Sequence, residues 1–169
     1  MKKRTSIALL AILLLSAAPA LPRRRAKAGG IEFAFELPSN FKIGRFKRGD
    51  VFPDAAVFVE SSQLAKNDLN SIPVGDVPTI ILNVIDKDHF TFLKTTIPKF
   101  DGYRTRIEGR EAWKLPGFPG PYGDQLFYYI VPIGMGGRSV EIVANRYYHD
   151  NSPTHYDVVV ERIIATLAR

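Results

Sequence analysis

A chain of 169 residues is long enough for a leader and one domain with a core of its own. Its formal charge of +6 is unevenly placed: the first 28 residues carry seven of the 23 basic residues and none of the 17 acidic ones, leaving 16 against 17, a net of −1. The near-neutral body gives no support to nucleic-acid binding, and the lack of cysteine excludes disulfides, thiolate metal sites, cysteine nucleophiles and a lipidated N-terminal Cys.

Lys2, Lys3 and Arg4 precede an apolar run from Ile7 to Leu15, and Ala18-Pro19-Ala20 forms a small-x-small cleavage site. This is the pattern of a secretory signal peptide over residues 1–20. The run is shorter than the ~20 apolar residues of a membrane span, and the alternative is an uncleaved N-terminal anchor. The further charges at Arg23, Arg24, Arg25 and Lys27 blur the orientation signal. Residues 21–30 read as a basic flexible linker and 31–169 as a single domain. The expected location is periplasmic or secreted, lumenal in a photosynthetic setting.

Ile31, Phe33, Phe35 and Leu37 alternate with polar or small residues, which predicts a half-buried strand stopped by Pro38. Phe41 to Phe46 continues it after a turn, and Ala55 to Glu60 is the next strand. Ser61 to Gly75 has no period and reads as a loop or a short surface helix. Thr79 to Ile85 is apolar on both faces, as in a central strand covered on both sides. Asp88 is the expected N-cap of a helix carrying Phe90, Leu93 and Ile97 and ended by Pro98.

Tyr103 to Leu115 reads as a tight hairpin with Glu108-Gly109 as its turn. Ile107 then faces Arg110, Arg106 faces Glu111, Thr105 faces Ala112 and Arg104 faces Trp113. An opposite-charge pair and an Arg-over-Trp pair support the register. Pro116 to Gly123 is expected to be an irregular loop. Gln125 to Val131 and Arg138 to Tyr147 are strands joined by the glycine-rich turn at Ile133 to Gly137. The last helix has Ser152 as cap, Pro153 at its first position, and an apolar stripe of Tyr156, Val159, Val160, Ile163, Ile164 and Leu167. Trp113, on the hairpin, is expected to be buried if helices cover both sheet faces.

This element order resembles the PsbP/Mog-type superfamily. The residues carrying the resemblance are Phe33 to Leu37 with Pro38-Ser39-Asn40-Phe41, Gly109-Arg110-Glu111-Ala112-Trp113, the strand pair Gln125 to Val131 and Ser139 to Ala144, and Val158 to Leu167. Phe41 stands where the family often has Trp. The resemblance implies an α+β fold, an antiparallel sheet sandwiched between helices (a PsbP-like α/β/α sandwich). It also implies a binding or accessory protein rather than an enzyme, although fold alone does not carry function.

No catalytic set emerges from the residues. There is no Gly-x-Ser-x-Gly, Ser61-Ser62 has no base nearby in sequence, and Gly134 to Gly137 lacks the Lys-Ser/Thr of a phosphate loop. His149, Asp150, His155 and Asp157 are ligand types for Zn, Cu or Mn, but His155 and Asp157 are two apart and share no helical face. The expectation is therefore a surface role for His149, Asp150 and His155, and no cofactor. His89 beside Asp86 and Asp88 reads as a helix's first turn. The partner surface is assigned to Arg104, Arg106, Phe118 and Tyr122, with a protein as the partner. Arg104 and Arg106 read either as a recognition patch or as a solvated face balanced by Glu111. The expected function is that of an exported, non-catalytic, protein-binding or accessory domain; the alternative is an exported domain binding a small ligand or metal.

Overall fold

The computed structural model describes residues 21–45, 54–64, 78–119, 125–146 and 155–169. Within them the chain forms strands β1 (Arg23–Ala28), β2 (Ile31–Glu36), β3 (Phe41–Gly44), β4 (Ala56–Glu60) and β5 (Thr79–Ile85), helix α1 (Lys87–Thr96), strands β6 (Arg104–Ile107), β7 (Arg110–Pro119), β8 (Gln125–Pro132) and β9 (Ser139–Arg146), and helix α2 (Tyr156–Thr166). Seven strands make one antiparallel sheet in the order β3-β4-β5-β9-β8-β7-β6, while β1 and β2 pair only with each other. After β5 the chain crosses through α1 to the far edge and returns as a meander, so β5 and β9 join the two halves of the sheet along seven residue pairs.

One face of the sheet is sealed by α2 and the β1–β2 hairpin lying side by side. The stripe Tyr156, Val159, Val160, Ile163, Ile164 and Leu167 is buried, as its spacing predicts. It meets Phe33, Phe35 and Leu37 from the hairpin and Phe58, Ile80, Leu82, Ile142 and Val131 from the sheet in one cluster. The hairpin is clipped to the helix by Glu36 N–H donating to Thr166 Oγ1 at 2.8 Å and by the Ala34–Ala168 bridge. Its turn sits hard on the sheet: Gly29 has φ +52, and a Cβ there would lie 2.6 Å from Val84 Cβ. Only glycine fits.

The opposite face is covered differently. Phe90 and Leu93 of α1 and its C-cap residue Ile97 pack on Ile85, Phe100, Trp113, Leu115 and Ile130, with Phe90 edge-on to Trp113 at 5.2 Å. Trp113 is buried, as anticipated for a sheet covered on that side. A separate cluster of Ala55, Val57, Val59, Ile81 and Val143 lies further along the same face.

The expected antiparallel sheet sandwiched between helices is corrected by this arrangement. The fold is β-rich, with nine strands and two α-helices among the described residues, and a β-hairpin shares one covering layer with α2. The cause lies in residues 21–30. Read as a flexible linker, they form β1 and its turn: Arg25 and Lys27 point outward, while Ala26 and Ala28 are buried beneath them. Small inward side chains let a basic strand lie close on a core.

Smaller differences follow local chemistry. Asp86, not Asp88, caps α1, accepting from the His89 amide at 2.8 Å. Residues 116–119, expected in an irregular loop, continue β7, with a register shift between Leu115 and Phe118. A bulge at Pro116-Gly117 absorbs the missing amide donor of proline. Phe41–Gly44 forms the sheet edge beside β4 and does not continue β2. Ser61–Gln63 is a 3-10 turn followed by Leu64, and residues 65–75 of the long polar segment lie outside the described residues. Helix α2 begins at Tyr156 with His155 as its cap residue; Ser152 and Pro153 lie outside the described residues, as does the 1–20 leader.

Candidate functional site

The hairpin β6–β7 has the register read from its turn: Ile107–Arg110, Arg106–Glu111, Thr105–Ala112 and Arg104–Trp113. Glu108 and Gly109 take φ of 45° and 83°, the mirror-image turn that matches strand twist. Cross-strand pairing does not decide which charges meet. Glu111 sits opposite Arg106, but its carboxylate pairs diagonally with Arg104 at 2.7 Å. Arg104 also lies 6.0 Å from the centre of the Trp113 ring. Arg106 is left exposed and without an ion pair among the described residues.

This matters because β6 is the last strand of the sheet. A two-residue turn closes on a hydrogen-bonded pair, here Ile107–Arg110, so Thr105 also bonds to β7 and the amide groups of Arg106 point away from the sheet. The edge therefore offers a backbone donor and acceptor at the residue whose guanidinium is also free.

A groove of about 460 Å³ runs beside this edge, between β6 and α2. Its strand wall is Thr105, Ile107 and Lys114; its helix wall is Val158, Glu161 and Arg162. Positions 158, 161 and 162 share one helical face by their spacing. Val158 is 62% exposed, a large apolar side chain left outside the buried stripe. Lys114 donates to Glu161 Oε1 at 2.8 Å, and the Tyr129 hydroxyl donates to the same oxygen at 3.1 Å. The Glu161 carboxylate, and then the Tyr129 hydroxyl, hold the Lys114 ammonium well above its ordinary value. Burial pushes the Tyr129 hydroxyl up to about 12 against the opposing pull of Lys114. Arg162 is fixed by Glu36 at 2.6 Å and reaches Glu108 at 3.6 Å. The groove floor is thus a set of pinned charges, with Arg106 at its rim.

Of the residues assigned to a partner surface, Arg104 and Arg106 lie together on β6, and Phe118 falls in β7, paired with Leu126. Tyr122 lies outside the described residues, as do His149 and Asp150. His155 is exposed at the start of α2. Among the described residues no three His, Cys, Asp or Glu side chains are placed to hold a metal ion. Val158, Glu161 and Arg162 were not singled out by sequence. The available signal was Val158, the one branched apolar residue of the helix's early turns that falls off its stripe.

Among the described residues no helix is long and apolar enough to cross a membrane. No family model matches the chain, and no curated protein does. A crystal structure from Bacteroides thetaiotaomicron VPI-5482 is similar over 80% of this chain at 14% identity, with a TM-score of 0.44. The chain spans 44% of that protein's length, and a likeness this distant carries no functional argument.

Proposed function

We propose that this is a non-catalytic, exported accessory domain that binds an extended segment of a partner protein by adding it as a further strand beside β6. The observation that carries the reading is the open edge at Arg106, whose backbone and side chain are both free, among the described residues, next to a preformed groove. Strand addition draws affinity from main-chain hydrogen bonds and specificity from alternate side-chain positions.

Those positions define the partner. Side chains of an added strand alternate between the two sheet faces. On the Arg104 and Arg106 face, carboxylates are favoured. On the α2 face they enter the groove between Ile107 and Val158, where small apolar groups fit. The preferred segment therefore alternates acidic and apolar residues. The exposed Arg106 on a four-residue edge also repels a second copy of the same edge, which disfavours self-association there. The N-terminal leader pattern supports a periplasmic or secreted setting.

The test is fluorescence anisotropy with a labelled Glu-Val-Glu-Val-Glu-Val peptide and its Lys-Val counterpart. The acidic peptide is expected to bind saturably and the basic one not, with Arg106→Glu weakening the acidic peptide by at least about tenfold. Equal binding of the two peptides, or an Arg106→Glu variant that binds like the parent, contradicts the reading.

A further inference from the structure

On the sheet face covered by α1, between its two apolar clusters, Asn83 of β5 and Glu141 of β9 stand directly opposite each other. Glu141 is only 3% exposed. Among the described residues its side chain has one hydrogen bond, a 3.4 Å contact from Asn83 Nδ2, which is long for a charged acceptor. A carboxylate has room for about four donors. Beside it opens a cleft of about 520 Å³, with Tyr128 and Leu93 in its walls and Asp86 and His89 from the start of α1 at its mouth.

The anionic groups of this cleft face His89 as its one basic side chain among the described residues. Glu141 and Asp86 supply carboxylates, and among the described residues no lysine or arginine lines it. We propose that the cleft binds a small organic cation, a primary ammonium or amidinium group, with Glu141 as its counter-ion, Asn83 orienting that carboxyl and the Tyr128 ring as an apolar wall. A metal ion fits less well, since no three ligand-type side chains converge among the described residues. Carboxylate plus aromatic wall is a recurring arrangement for cation recognition. Burial pushes the Glu141 carboxyl up, only partly offset by the Asn83 amide and the nearby His89. Tyr128 is pushed up to about 12 by burial and then by the Glu141 charge.

This site lies away from the β6 edge, so its test is independent of the strand-addition reading. The full chain is titrated at pH 8 with n-butylamine and with n-butanol, followed by NMR of the Asn83 side-chain amide and the Tyr128 ring. Butylammonium is expected to shift both saturably, with the alcohol at least about tenfold weaker and Glu141→Gln losing about tenfold in affinity for the amine. Equal affinity for amine and alcohol, Asn83 and Tyr128 signals unmoved by the amine, or a Glu141→Gln variant with parental affinity overturns the proposal. If Glu141→Gln fails to fold, the amine–alcohol contrast on the parent chain decides the matter.

Discussion

The two faces of the seven-stranded sheet are built to different rules. The face under α2 and the β1–β2 hairpin is one continuous apolar cluster of 23 buried residues among those described. The face under α1 is two smaller clusters with Asn83 and Glu141 between them, and α1 itself contributes no fully buried residue. An ill-matched buried charge is expensive. The α2 face holds its buried carboxylate, Glu60, at the end of β4 opposite Phe41, where Asn40 Nδ2 donates to it at 3.2 Å. The α1 face carries Glu141 between its clusters, beside an open cleft. Apolar burial is concentrated on the α2 side, whose groove lies out at the β6 edge, while the α1 side has a cleft in the middle of its face.

The largest expected effect lies in the continuous core. Ile163→Ala, at a fully buried position on α2, is expected to cost about 2–5 kcal/mol in urea denaturation. Leu93→Ala on α1, half-buried and at the edge of its cluster, is expected to cost about 1 kcal/mol. Equal costs would break the contrast between the faces.

The pH dependence sharpens it. The folded-state pKa of Glu141 is raised by burial. Its contribution is therefore fully present below the ordinary carboxylate value and is lost as pH rises through the raised one. Glu141→Gln should flatten this part of the stability–pH curve and raise stability at neutral pH relative to the parent. Thermal melts between pH 4 and pH 8 check this; a curve with the parental slope contradicts it.

Two smaller effects concern the groove. Tyr129→Phe removes the hydroxyl that donates to Glu161 and is expected to cost about 1 kcal/mol, measured by denaturation. Gly109→Ala, with nothing near its missing Cβ but φ at +83, is also expected to cost about 1 kcal/mol, through backbone strain alone. Arg106→Glu is expected to leave stability within about 0.5 kcal/mol, since the side chain is exposed and makes no ion pair among the described residues. That near-zero change is what separates a binding residue from a structural one.

What was legible in sequence divides along similar lines. The β6–β7 register could be read because Gly109 fixes the turn and a two-residue turn fixes the pairing. The buried stripe of α2 could be read because helical periodicity is local. Strand β1 could not, because four basic residues in six look solvated until β2 supplies a partner and Ala26 and Ala28 find a core. The sandwich expected of the fold failed at the same point. The groove was half legible. Arg104 and Arg106 stood out by charge, but Val158, Glu161 and Arg162 come within reach of them only when α2 docks beside the edge strand. Which arginine Glu111 would neutralise is a matter of side-chain reach across the strands, and the diagonal choice frees Arg106. Asn83 and Glu141 were visible only as lone polar residues in apolar strands, since their pairing needs β5 beside β9.

Amide hydrogen exchange across the two sheet edges, with and without saturating Glu-Val-Glu-Val-Glu-Val peptide, tests the central claim most directly. Strand addition at β6 predicts slowed exchange at Arg106, with Lys42 on the opposite edge strand β3 unchanged. Unaltered exchange at Arg106 under saturating peptide, or protection at β3 instead, would contradict it.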